Sequence, residues 1–120
     1  MTKKLAFHNL VTDAKSRISE CSIEHIYSMI QNNILDGILI DIRELHEYEE
    51  GYIKNSIHIS KGVLEAKIEH LIPNQSQVMY LYCAGGYRST LSADNLMKMG
   101  YKNIYSIAGG YKAWQMIEQK

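Results

Sequence analysis

Short apolar runs separated by stretches of helical apolar spacing restrict this chain to a sheet covered by helices. Ile38-Leu39-Ile40-Asp41-Ile42 follows the turn signal Asp36-Gly37 and has the continuous apolarity of a strand buried on both faces. Ile57-His58-Ile59, Val78-Met79-Tyr80-Leu81-Tyr82 and Asn103-Ile104-Tyr105-Ser106-Ile107 read as further strands. Between them the period changes. Leu10, Val11, Ala14 and Ile18 recur at helical spacing, and Ser22 reads as the N-cap of a helix carrying Ile23, Ile26, Tyr27 and Ile30. Arg43 to Glu50 reads as a short exposed helix. Val63, Leu64, Ile68 and Leu71 mark another, which Pro73-Asn74 ends. Gly109-Gly110 turns the chain into a last helix with Tyr111, Trp114 and Ile117. Such alternation predicts an α/β fold: a mostly parallel central sheet of about five strands with helices on both faces. Ligands of such sheets bind beyond the C-terminal ends of the strands, where Asp41 and Cys83 fall.

The third run leads directly into Cys83-Ala84-Gly85-Gly86-Tyr87-Arg88-Ser89. No position from Ala84 to Ser89 is proline, so each keeps an N–H that can turn inward. The glycines let the backbone curl closely around an anion. Ser89 to Gly100 reads as a helix stopped by Gly100, with Ser89 as its cap. A strand, a tight loop and a helix N-terminus place positive potential at the Cys83 sulfur, and the thiolate is the nucleophilic form of cysteine.

Composition excludes several function classes. The 120 residues carry zero formal net charge, so neither nucleic acid nor an anionic membrane is an expected partner. Nowhere do about eighteen apolar residues run together. The start, Met1 to Asn9, is basic but lacks the apolar core of a secretory signal. With two distant cysteines, Cys21 and Cys83, this fits a reducing cytosol, and a cytoplasmic location is expected. His46-Glu47 is not a zinc-protease motif, because Glu50 stands where the second histidine belongs. His8, His25, His46, His58 and His70 show no ligand spacing, so neither a metal nor a cofactor is expected.

Three segments in order resemble the rhodanese family. Leu39-Ile40-Asp41-Ile42-Arg43-Glu44, followed by Glu47-Tyr48 and Gly51-Tyr52-Ile53, is similar to its first signature. Cys83 to Ser89 resembles its active-site loop. Gly100-Tyr101-Lys102-Asn103-Ile104-Tyr105 with Gly109-Gly110-Tyr111-Lys112-Ala113-Trp114 resembles its C-terminal signature. The resemblance divides the chain into a helical lead-in, 1–19, and a rhodanese domain, 20–120. It implies a sulfurtransferase in which Cys83 takes a sulfane sulfur, holds it as a persulfide and passes it to a thiol or cyanide-like acceptor. Tyr52 replaces the family's usual histidine, and Lys54-Asn55-Ser56 its proline-glycine-alanine, which bears on a turn outside the loop. Neutral Ala84 and Gly85 stand where members efficient with thiosulfate often carry basic side chains. Weak turnover of thiosulfate is therefore expected, with a persulfide on glutathione or on a protein as the alternative donor.

Each residue has a plainer reading. Cys83 alone would be a small buried hydrophobe; the loop around it argues for catalysis. Arg88 either binds the donor's anionic end or ties the loop to a carboxylate. Asp41 and Arg43 read as scaffold, pairing with neighbours such as Glu47 or with backbone amides. The resemblance puts Glu65 near the pocket, whereas its position alone suggests a helix surface. Cys21 reads as structural, with a resolving role as the lesser alternative. A cysteine-dependent phosphatase of the same architecture needs five residues between cysteine and arginine. Only four, Ala84 to Tyr87, intervene here, a cradle better sized for one sulfur. Docking domains of this family commonly lack the cysteine that this chain keeps, whereas a sulfur relay would use the same residues as free-standing catalysis.

Overall fold

The computed structural model describes residues 5–119. The basic start of the chain, residues 1–4, lies outside them. Eleven elements follow one another: α1 (Ala6–Lys15), β1 (Ser19–Cys21), α2 (Ile23–Gln31), β2 (Ile38–Asp41), α3 (Leu45–Glu50), β3 (Ile57–His58), α4 (Lys61–Leu71), β4 (Met79–Tyr82), α5 (Tyr87–Lys98), β5 (Ile104–Ile107) and α6 (Gly110–Glu118). The strands form one sheet in the order β1-β5-β4-β2-β3, and every pairing is parallel.

Alternation along the central strands sorts side chains into two cores. Leu39, Tyr80 and Tyr82 face one side, where they meet Ile26 and Ile30 of α2 and Trp114 of α6. Ile40, Met79 and Leu81 face the other, with Leu64 and Ile68 of α4 and Ala93 and Leu96 of α5. Successive strand residues point to opposite faces, so one four-residue strand feeds both cores. Each fully buried aliphatic side chain here contributes about 1.5–3 kcal/mol. Helix α1 packs on α5, burying Val11 and Ala14. The Arg17 guanidinium behind it grips Asp94 of α5 at 2.8 and 3.0 Å. No helix among the described residues is long and apolar enough to cross a membrane.

Four strands coincide with the apolar runs, and the fifth does not. β1 is Ser-Glu-Cys, a polar edge strand held only by β5 (Cys21 opposite Ile107), and an edge needs no apolar run. Helix α1 correspondingly stops at Lys15, and Ile18 reaches the core from the turn beyond it. Arg43 does not belong to an exposed helix: α3 begins at Leu45 and Arg43 is 4% exposed. Ser22 does cap α2, accepting from the His25 N–H at 3.1 Å. Ser89, by contrast, is no cap, since α5 starts two residues earlier, at Tyr87.

Candidate functional site

Parallel pairing puts the ends of β2 and β4 side by side, Asp41 opposite Tyr82, and everything of chemical interest extends from there. Cys83 follows Tyr82 directly and is 1% exposed. Its Sγ accepts the Gly86 N–H at 3.1 Å and the Ser89 N–H at 3.4 Å, and Ser89 Oγ lies 3.6 Å away. Two backbone donors and a hydroxyl thus surround one sulfur, and the donors are fixed before any ligand arrives.

Local sequence explains the curl. Gly86 has φ +104°, a conformation that side chains disfavour, and it starts α5 without a side-chain cap. The Thr90 and Ser89 hydroxyls instead donate to the Gly86 carbonyl at 2.8 and 3.2 Å, drawing the loop into the first turn. Ser89 Oγ also lies 2.7 Å from Ser106 Oγ on β5, which ties the loop to the neighbouring strand. The start of α6 clamps the other side. The Tyr111 and Lys112 N–H groups donate to the Cys83 and Ala84 carbonyls at 2.8 and 3.1 Å. Gly110 (φ +55°) passes so near that an added Cβ would collide with the Cys83 carbonyl oxygen. Gly109-Gly110 is thus part of the loop's support as well as a turn into the last helix.

Charged groups separate into two pairs. Arg43 binds Asp41 through Nε at 3.0 Å and Nη2 at 2.7 Å, donates to the Gly51 carbonyl at 2.7 Å, and lies 4.2 Å from the Tyr111 ring centre. Asp41 also accepts the Arg43 N–H at 2.9 Å. These two residues pair with each other and not with Glu47, while the other partner the sequence suggests, a backbone amide, is the Arg43 N–H on Asp41. Glu47 instead meets Arg88 in a two-pronged contact of 2.9 and 3.0 Å, and receives the Glu44 N–H in a capping box at the start of α3. The Arg88 guanidinium, helped by that N–H and opposed by burial, holds the Glu47 carboxyl down to about 2.

Glu65 stays apart from Cys83. It sits on α4, accepts from Asn95 of α5 at 2.7 Å and lines no cavity at the cysteine. Cys21 lies in β1, half-buried and free, and burial followed by the Glu20 charge pushes its thiol up to about 11. A cavity of about 340 Å³ opens over Cys83, walled by Gly85, Tyr87 and Arg88 of the loop. Phe7 of α1 and Lys112 of α6 complete its rim. Neither belonged to the expected site. Lys112 was legible as part of the Gly109-to-Trp114 motif, but nothing in the sequence linked Phe7 to the loop.

Comparison with known proteins agrees with this architecture. The family model for the rhodanese-like domain matches residues 22–117. A Bacillus subtilis protein, YrkF, provisionally named a sulfur carrier, is 31% identical over 82% of this chain, which spans 52% of that protein's length. The thiosulfate sulfurtransferase GlpE of Coxiella burnetii is 31% identical, over 67% of this chain and 73% of its own. Among solved structures, a Rhodopseudomonas palustris protein of unknown function, put forward as a candidate tyrosine phosphatase, superposes with a TM-score of 0.84. It is 28% identical and covers 98% of this chain and 96% of its own.

Proposed function

The chain belongs to the rhodanese-like domain family, and from that membership we propose that it is a sulfurtransferase working through a persulfide on Cys83. The observation that carries the reading is the sulfur itself, held by the Gly86 and Ser89 N–H groups of its own loop. In the first half-reaction the Cys83 thiolate attacks the outer sulfur of a sulfane donor. A new S–S bond forms, the donor's S–S bond breaks, and the shortened donor leaves with the electron pair. The outer sulfur of the persulfide then carries negative charge, which the loop amides stabilise without reorganising. In the second half-reaction an acceptor, a thiol or cyanide, attacks that outer sulfur and regenerates the Cys83 thiolate. The scheme calls for no metal or cofactor, and a reducing compartment such as the cytosol suits it.

Within this proposal Ala84, Gly85, Gly86 and Tyr87 shape the cradle, and Ser89 adds a hydroxyl to it. Arg88 braces the loop through Glu47, and Asp41 with Arg43 supports the neighbouring strand end. Glu65 is a helix–helix contact. Cys21, with its thiol raised to about 11, stays protonated at neutral pH and makes a poor resolving partner.

The YrkF relationship favours, as a second reading, a relay that receives sulfur from one protein and delivers it to another. Free-standing catalysis predicts steady thiocyanate formation from a sulfane donor and cyanide, abolished in Cys83→Ser. A relay predicts one stoichiometric sulfur loading with negligible turnover. The Rhodopseudomonas palustris likeness makes aryl phosphate hydrolysis the necessary control. Hydrolysis that depends on Cys83, with no sulfur transfer, would overturn the proposal.

A further inference from the structure

The cavity over Cys83 is lined by two unlike kinds of side chain. Phe7 of α1 and Tyr87 of the loop meet edge to face, ring centres 6.4 Å apart. Both are about half exposed, 50% and 58%, although large aromatic side chains favour burial. Two cationic side chains, Arg88 and Lys112, line it as well. Glu47 already engages Arg88 through two nitrogens. Lys112 is exposed, and among the described residues no carboxylate lies within ion-pair distance of it. Its own N–H donates to the Ala84 carbonyl, so its backbone is fixed against the residue next to the nucleophile. The volume, about 340 Å³, falls within the range of small-molecule sites.

We infer that the sulfur donor is an organic sulfane compound, its anionic group bound by Lys112 and its apolar body laid against Phe7 and Tyr87. The inference rests on the sulfurtransferase reading and specifies the substrate class for that same site. For a thiosulfonate donor the balance is simple. The Cys83 thiolate bonds to the outer sulfur, the bond between that sulfur and the sulfonyl sulfur breaks, and a sulfinate leaves with the electron pair. Lys112 is the specificity residue, and its charge does what Arg88, already paired, does less well. Helix α1, outside the matched residues 22–117, supplies the apolar wall.

The test is steady-state sulfur transfer to cyanide by the full chain, with benzenethiosulfonate and thiosulfate compared as donors. Wild-type protein prefers benzenethiosulfonate in kcat/KM. Lys112→Gln lowers kcat/KM for both anionic donors about tenfold, the scale of one charge-assisted contact, at nearly constant kcat. Lys112→Arg restores most of it. Phe7→Ala lowers kcat/KM about threefold or more for benzenethiosulfonate and leaves thiosulfate unchanged. Unchanged donor kinetics in Lys112→Gln, or equal losses for both donors in Phe7→Ala, would overturn the inference while leaving sulfur transfer intact. A wild-type protein that takes sulfur from neither of these donors nor from glutathione persulfide, with no sulfur loaded on Cys83 by any of them, would remove the sulfurtransferase reading itself.

Discussion

Strands β2 and β4 run side by side in register and end in opposite ways. β2 ends in a closed electrostatic circuit. Asp41 and Arg43 are almost wholly buried and bind each other, and Arg43 Nη2 also donates to the Gly51 carbonyl. β4 ends in an open one. There the donors of Gly86 and Ser89 converge on a single sulfur beneath a cavity of about 340 Å³. Both ends bury polarity, but only the second presents a free thiol, that of Cys83. In the proposed function the β2 end serves as scaffold and the β4 end, with donors around its sulfur and a cavity over it, as the site.

The comparison breaks most visibly at Arg43. Arg43→Met leaves the Asp41 carboxylate buried without its partner, and a loss of about 3–5 kcal/mol in urea unfolding is expected. A loss under about 1 kcal/mol would show that the β2 end is not the scaffold described. Gly110→Ala addresses the β4 end from behind. Its Cβ collides with the Cys83 carbonyl at φ +55°, so about 1–3 kcal/mol of stability should go, together with most of any sulfur transfer. Transfer that survives undiminished in a destabilised protein would mean the clamp does not position Cys83.

The smallest effect concerns Glu47, which links the two ends through Arg88. Its folded carboxyl is depressed from 4.5 to about 2. The pair therefore stabilises the fold fully above pH 4.5, and that contribution fades as pH falls toward 2. Glu47→Gln should cost about 1 kcal/mol at neutral pH, since the pair is partly exposed. The deficit should shrink as pH is lowered through that window. A deficit independent of pH would show that the Glu47 charge is not what stabilises the fold there.

Contiguity decided what could be read from the sequence. The β4 run, Cys83 and its loop form one unbroken segment, so strand, nucleophile and cradle were visible together. The buried Asp41 and Arg43 were visible as scaffold because they lie two residues apart, although which group each binds was not. Glu47 and Arg88 are 41 residues apart, and only the fold brings α3 to α5. Phe7 meets Tyr87 because α1 packs on α5, a placement that apolar spacing alone does not specify. β1 is not legible for a different reason: three polar residues at an edge follow no hydrophobic period. Ser89 was misplaced as a cap because a left-handed glycine, Gly86, starts the helix two residues earlier.

The central claim is that Cys83 holds a transferred sulfur. The most direct measurement is the intact mass of the protein after brief exposure to a sulfane donor and removal of the excess, for wild type and Cys83→Ser. Gain of one sulfur atom by wild type, located on the Cys83 peptide rather than the Cys21 peptide and discharged by cyanide, is the predicted result. An unmodified wild-type mass with every sulfane donor tried, or the same gain in Cys83→Ser, would contradict it.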